Sequence, residues 1–192
     1  HPDQREIPDR LPFARSPVNR CPVSAADSNH KLKTNVAVLG ATGSIGSATL
    51  DVIRQLGPPW RVHGLSVHSG IDELDALVRE FRPHSVAATL DSPGLAQRLA
   101  QLPKATRTLL GADALVELAT DAAVDTVVAA VVGAAGLPST LAAATAGKRL
   151  ALANKETLVV AGGIVTEALR ASGGELIPVD SEHSAVFQAI QG

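Results

Sequence analysis

The stretch Val36-Ala37-Val38-Leu39-Gly40-Ala41-Thr42-Gly43-Ser44-Ile45-Gly46 decides the fold. An apolar run breaks into three glycines and then into the helical spacing Ile45, Thr49, Leu50, Ile53, Leu56. The pattern reads as strand, tight turn, helix. Glycines at 40, 43 and 46 permit a sharp turn and close backbone approach, so amides at the helix N-terminus can face a pyrophosphate whose charge the helix dipole favours. Thr42 and Ser44 add hydroxyl donors. The spacing is G-x-x-G-x-x-G rather than G-x-G-x-x-G, and glycine triplets alone are weak evidence. The flanking strand and helix, both present, set it apart from an ordinary strand-to-helix turn.

Working outward, strands and helices alternate from about Thr34. Strands are expected at 35–39, 61–67, 86–89, 107–110, 126–132 and 149–153, and helices at 44–56, 71–81, 93–102, 112–119, 137–146 and 158–171. On 71–81, Leu74, Leu77, Val78 and Phe81 share one face. Repeats of this length imply parallel strands joined by right-handed crossovers with helices on both faces, a doubly wound Rossmann-like sheet. Gly173-Gly174 leads into extended Glu175-Leu176-Ile177-Pro178-Val179, expected to open a second sheet. The domain reading is therefore a disordered or loosely attached tail over 1–33, which holds five of the twelve prolines, a dinucleotide-binding domain over 34–153, and a linker helix with the beginning of a second, α+β domain over 154–192.

Composition narrows the class. The 192 residues are 45% hydrophobic with only three Phe, one Trp and no Tyr, so the core is built from Ala, Val, Leu and Ile, as buried parallel sheets are. A net charge of −2 and missing aromatic platforms argue against nucleic acid or an anionic membrane as partner. Cys21 is the single cysteine, which excludes an internal disulfide and a cysteine-based zinc site and fits a reducing compartment. The cytoplasm is expected, with a plastid as the alternative. A chain that opens on His1 and contains no methionine reads as a fragment or processed product. The uncharged stretch from Thr126 to Gly147 is long enough to span a bilayer. Its central Gly133, Gly136, Pro138, Ser139 and Thr140 make a buried strand and a loop the better reading.

The second strand ends Leu65-Ser66-Val67-His68-Ser69-Gly70, without the carboxylate that a binder of NAD sets against the ribose 2′-hydroxyl. Nothing there repels a 2′-phosphate, and His68 and Ser69 can donate to one, so NADP is the expected cofactor. Asn154-Lys155-Glu156 follows the strand at 149–153, at the carboxyl end where open parallel sheets bind ligands. If Val179-Asp180-Ser181-Glu182-His183 is extended, Asp180 and Glu182 share a face, a pair of hard oxygen ligands suited to Mg²⁺ or Mn²⁺. His183 fits better as an orienting or capping residue than as a ligand. His1, His30, His63 and His84 read as unpaired surface residues, and Glu73, Asp75, Arg79 and Glu80 as a solvated helix face.

Together these segments resemble the 1-deoxy-D-xylulose 5-phosphate reductoisomerase family. The resemblance rests on Gly40 to Gly46 with Thr49-Leu50-Asp51-Val52, on Val132-Gly133-Ala134-Ala135-Gly136-Leu137, on Ala153-Asn154-Lys155-Glu156-Thr157-Leu158-Val159, and on Pro178-Val179-Asp180-Ser181-Glu182-His183 with Phe187-Gln188. It implies an enzyme of the non-mevalonate isoprenoid pathway that uses NADPH and Mn²⁺, Mg²⁺ or Co²⁺ to rearrange and reduce a sugar phosphate to 2-C-methyl-D-erythritol 4-phosphate. It also implies that the full-length protein is a homodimer. By resemblance, Thr42, Gly43, Ser44 and Ile45 contact NADPH, and His68, Ser69 and Gly70 hold its 2′-phosphate end. Asn154 and Glu156 line the nicotinamide side. Lys155, Ser181 and Glu182 meet the substrate, Lys155 and Glu182 serve catalysis, and Asp180 and Glu182 hold the metal.

Two departures matter. Many members carry Gly-Lys/Ser-Asn where this chain has His68-Ser69-Gly70. The family's third metal carboxylate, lid, phosphate-binding residues and C-terminal helical domain all lie beyond Gly192, so this chain is expected to bind cofactor with little turnover. Other classes fit less well. A short-chain dehydrogenase needs a Tyr-x-x-x-Lys pair and the chain has no tyrosine. A semialdehyde dehydrogenase needs a nucleophilic cysteine after the cofactor fold, and Cys21 precedes it. The alternative from a different class is a non-catalytic NADP-binding or oligomerisation module.

Overall fold

A computed structural model describes residues 34–68, 71–90, 92–153 and 155–179, the side chains of 71, 72, 155, 156 and 158 aside. The tail over 1–33 lies outside the described residues. The elements are β1 (Asn35–Leu39), α1 (Ser44–Leu56), β2 (Arg61–Val67), α2 (Ile71–Phe81), β3 (Ser85–Ala88), α3 (Pro93–Ala100), β4 (Arg107–Leu110) and α4 (Ala114–Thr120). They continue with β5 (Thr126–Ala129), a 3-10 turn at Ala134–Gly136, α5 (Leu137–Thr145), β6 (Arg149–Leu152), α6 (Lys155–Ser172) and β7 (Glu175–Pro178). The strands form one sheet in the order β4-β3-β2-β1-β5-β6-β7, with every pairing parallel. The chain winds outward from β1 to β4, returns to β5 beside β1, and winds outward again. This is the doubly wound Rossmann-like arrangement, with its topological switch point between β1 and β5.

Alternation along β1 explains the two layers. Val36 and Val38 pack with Leu50 and Ile53 of α1, while Ala37 and Leu39 pack with Leu118 of α4 and Ala143 and Ala144 of α5. Both faces are covered, which is why Val-Ala-Val-Leu and the Thr-Val-Val-Ala of β5 carry no polar alternation. Small residues lie where helix and sheet come closest. A Cβ on Gly64 in β2 would sit 2.3 Å from Leu118 Cδ1. A third cluster joins Val67, Val86 and Ala88 to Leu74, Val78, Leu95 and Leu99 of α2 and α3.

Several boundaries differ from expectation for identifiable reasons. The strand expected over 126–132 ends at Ala129, because its partners β1 and β6 end opposite it, at Leu39 and Leu152. The apolar run continues past the sheet, so Val132 is 84% exposed. Gly111, at φ +102, makes a turn closed by the Ala114 amide donating to Gly111 O, which delays α4 to Ala114. Helix α6 starts at Lys155 rather than 158 and is kinked at Ala161 (φ −136, ψ 15), next to Gly162-Gly163. The segment expected to open a second sheet pairs with β6 instead, as β7. The reason lies in the return after α6. Gly173 turns at φ +73, and a Cβ on Gly174 would lie 2.6 Å from Leu169 Cδ2 and 2.9 Å from Lys148 O, so the chain re-enters flush against β6. No second sheet begins among the described residues. Thr126 to Gly147 resolves into β5, the 3-10 turn and α5, and no described helix is long and apolar enough to cross a membrane.

Candidate cofactor cleft at the carboxyl rim of the sheet

Parallel pairing brings all the strand ends to one rim. Leu39, Ala129, Leu152 and Pro178 form a single register row across β1, β5, β6 and β7. Three inter-strand steps separate Leu39 from Pro178, about 14 Å at the usual spacing. The glycine turn leaves this rim one residue after Leu39. Gly40 takes φ +83, and a Cβ there would lie 2.8 Å from Ala130 O, so both conformation and space demand glycine. Gly46, on the inner side of the first turn of α1, would bring a Cβ within 2.2 Å of Gly40 O. Gly43 differs. It is exposed, its φ is −75, and a Cβ would meet only Gly40 O, at 3.4 Å.

The turn's hydrogen bonds divide its amides into two sets. Gly40 N donates to Ser66 Oγ, Ala41 N to Ser66 O, and Gly43 N to Gly40 O, at 2.8, 2.8 and 3.1 Å. Gly43 N-caps α1 and supplies no side-chain cap. The amides of Thr42, Ser44 and Ile45 have no acceptor among the described residues. Thr42 is half-buried and Ser44 exposed, so this set faces outward at the positive end of α1, which is what an incoming pyrophosphate requires.

At the end of β2, His68 is exposed, and its Nδ1 lies 2.7 Å from Thr89 Oγ1 at the end of β3. Ser69 and Gly70, the other expected 2′-phosphate residues, lie outside the described residues, as does Asn154. Lys155 and Glu156 open α6 at the same rim, three residues past the register row, but their side chains are not described. Val179 N donates to Leu152 O at 3.1 Å and ends the described chain there, so Asp180, Ser181, Glu182 and His183 fall outside it. The structure thus brings Thr42, Gly43, Ser44, Ile45 and His68 to one rim with the start of α6, and says nothing of the metal pair. Among the described residues no group of three or more His, Cys, Asp or Glu could hold a metal.

Sequence reasoning missed Ser66, Thr89 and the His63–His84 pair. A hydroxyl inside the apolar run of β2 was the available signal for Ser66. His63 and His84 stack at 5.0 Å, and His63 Nε2 lies 3.3 Å from Asp121 Oδ2, so neither is the solitary surface residue expected. The helix face read as solvated is tied down too, Asp75 to Arg98 at 2.6 Å and Glu80 to Arg54. A groove of about 910 Å³ lies at the opposite rim, between the C-terminal ends of α1 and α2, and is lined by Trp60, Arg61, His63, Phe81, Arg82 and His84. It lies at the amino ends of the strands, away from the switch point at the carboxyl ends where open parallel sheets bind ligands. A smaller groove of about 290 Å³ adjoins Ala41 and Thr42 between α1 and α2, on the side of the open amides.

The family model described as 1-deoxy-D-xylulose 5-phosphate reductoisomerase matches residues 36–162, well over half of the chain. The chain belongs to this reductoisomerase family. The reductoisomerase of Xanthomonas euvesicatoria pv. vesicatoria is 55% identical over 158 residues, 81% of this chain and 40% of its own length. That of Rhodopirellula baltica is 48% identical over 180 residues, 85% of this chain and 40% of its own. Among solved structures, a reductoisomerase in complex with NADPH, fosmidomycin and magnesium superposes with a TM-score of 0.77 at 49% identity, over 81% of this chain and 38% of that one. The Zymomonas mobilis reductoisomerase in complex with NADPH gives 0.73 at 42% identity, over 81% and 41%. This chain therefore spans about two fifths of the reductoisomerases it matches.

Proposed function

We propose that this chain is the NADPH-binding part of a reductoisomerase that converts 1-deoxy-D-xylulose 5-phosphate to 2-C-methyl-D-erythritol 4-phosphate in non-mevalonate isoprenoid biosynthesis. One observation carries the reading: at the switch point of a family-matched sheet, three outward amides stand at the N-terminus of α1, in a turn whose Gly40 and Gly46 leave no room for a side chain. Thr42, Gly43, Ser44 and Ile45 hold the pyrophosphate, with His68, Ser69 and Gly70 at the 2′-phosphate end. Asn154 and Glu156 line the nicotinamide side. Lys155 brings a positive charge to developing oxyanions, and with Ser181 and Glu182 it meets the sugar phosphate. Asp180 and Glu182 are the proposed Mn²⁺ or Mg²⁺ ligands, a hard-oxygen pair suited to either ion. When bound, the cation polarises the substrate carbonyl and the nicotinamide supplies the hydride.

The functional division falls at 153/154, with 154–192 leading into the catalytic part, although β7 belongs structurally to the cofactor sheet. A cytoplasmic location and a homodimer for the full-length protein belong to the same proposal. Taken alone, the 192 residues, which span about two fifths of the length of the matched reductoisomerases, bind NADPH but turn over little. Calorimetry on the 192-residue chain tests this. NADPH binds, and Gly43→Ala weakens it about tenfold, equivalent to ~1.4 kcal/mol, while melting stays close to the parent's. An assay with substrate, NADPH and Mn²⁺ shows no NADPH consumption above background. Failure to bind NADPH sinks the cofactor reading, and full-length-like turnover sinks the division. A non-catalytic module, by contrast, is indifferent to replacing Asp180 and Glu182 by Ala in a Mn²⁺ titration, which here abolishes metal uptake.

A further inference from the structure

We infer that Ser66 is a positioning residue whose buried hydroxyl holds the Gly40 peptide so that the amides of Thr42, Ser44 and Ile45 stand in register for a dinucleotide pyrophosphate. The inference rests on the proposed cofactor reading and extends it to a residue on a different strand from the glycine turn.

Ser66 interrupts the apolar end of β2 between Leu65 and Val67, and is 1% exposed. A hydroxyl in that position costs stability unless it is hydrogen-bonded. Its partner is the Gly40 amide at 2.8 Å. At φ +83 the chain leaves the extended path at Gly40, where a strand partner no longer meets its N–H, and the side chain of Ser66 takes it instead. The carbonyl of the same residue accepts from Ala41 N at 2.8 Å. Two consecutive amides are thus drawn inward by one residue, and the peptide oxygen of Leu39 is held from the other side by Ala130 N at 3.0 Å.

Gly40 is the hub of the turn. Its carbonyl accepts from Gly43 N at 3.1 Å, and the backbone of Gly46 packs directly against that oxygen. Rotation of the Gly40 peptide therefore moves the N-cap and the start of α1, and with them the three outward amides. Loss of the Ser66 hydroxyl removes the acceptor that resists this rotation. Its consequence differs from loss of a core contact, because only the pyrophosphate-reading part of the site depends on the turn, while the 2′-phosphate end depends on His68 and its neighbours.

The test compares the parent chain, Ser66→Ala and the near-isosteric Ser66→Cys, whose sulfur is a weak acceptor. Two probes are titrated, NADPH and adenosine 2′-monophosphate, which lacks the pyrophosphate, and exchange of the Gly40 amide proton is followed by NMR. Ser66→Ala binds NADPH about tenfold more weakly, binds adenosine 2′-monophosphate as the parent does, and exchanges the Gly40 amide faster with no change at Val38. Ser66→Cys is intermediate in affinity and exchange, and supplies the readout should the alanine chain not fold. Parent-like NADPH affinity in the variants, or equal loss of both probes, overturns the inference alone. A parent chain that binds no NADPH overturns the cofactor reading along with it.

Discussion

Replacing Gly46 by Ala tests whether the third glycine serves packing rather than ligand binding. The added Cβ would stand 2.2 Å from Gly40 O, 2.8 Å from Ala41 Cα and 2.9 Å from Ala41 C, whereas ordinary contact begins near 3.4 Å. Every obstructing atom is backbone, so no rotamer change relieves the clash, and α1 must lift from β1 by roughly 1 Å. A gap of that size forfeits a quarter to a half of the dispersion attraction across it, and it opens where Leu50 and Ile53 meet Val36, Val38 and Leu65. Overpacking costs about 1–3 kcal/mol, and a rigid obstruction on both sides puts this case at about 3. For a chain of this length that lowers the melting temperature by about 6–12 °C at ~2–4 °C per kcal/mol. Thermal melting followed by circular dichroism reads it directly. Gly43→Ala is the control, since a Cβ there touches only Gly40 O at 3.4 Å. Its cost is that of a poorer N-cap, within about 1 kcal/mol. A Gly46→Ala chain melting within about 2 °C of the parent, or a Gly43→Ala chain as unstable as Gly46→Ala, would refute the close-packing argument.

Three further outcomes are expected. Leu118→Ala empties a fully buried site above β2 and costs about 2–5 kcal/mol, whereas Gly64→Ala in the same chain refills part of the void. The pair is therefore less damaging than the sum of the single changes by about 1 kcal/mol in urea denaturation. Burial pushes the Asp121 carboxyl up, yet the Ala123 amide and the His63 and His84 imidazoles outweigh it and hold the group below the ordinary 3.8. Stability from this group is thus present above that value and lost as pH falls through the lower folded value. Urea midpoints measured down from neutral pH should drop less steeply at the acid end in Asp121→Asn, and parallel curves would remove the ion pair from the account. His68→Ala lowers the preference for NADPH over NADH about fivefold, close to 1 kcal/mol, by weakening NADPH alone. An unchanged ratio in paired calorimetric titrations would move 2′-phosphate recognition elsewhere.

How much was legible beforehand varied with the range of the interactions concerned. Gly40-x-x-Gly43-x-x-Gly46 between Val36–Leu39 and Leu50/Ile53 announced strand, turn and helix, because period and glycine placement are local. The end of β5 was not legible, since Val131 and Val132 are as apolar as Val127 and Val128 and only the ends of its neighbours β1 and β6 stop the ladder. β7 was mistaken for a new sheet because nothing within Glu175–Pro178 says which edge it will join. Ser66 passed unnoticed because its worth lies in an amide 26 residues away.

By itself the sequence determined the alternation of strands and helices, the apolar character of a sheet covered on both faces, and the kind of ligand the glycine turn suits. Each follows from side-chain period, glycine's conformational freedom and local charge. Tertiary structure alone decided that β5 returns beside β1, that one register row carries the turn and the start of α6 to a single rim, and that Ser66 and Thr89 support the residues there. These depend on hydrogen bonds and packing between segments far apart in the chain, whose energies no local window contains.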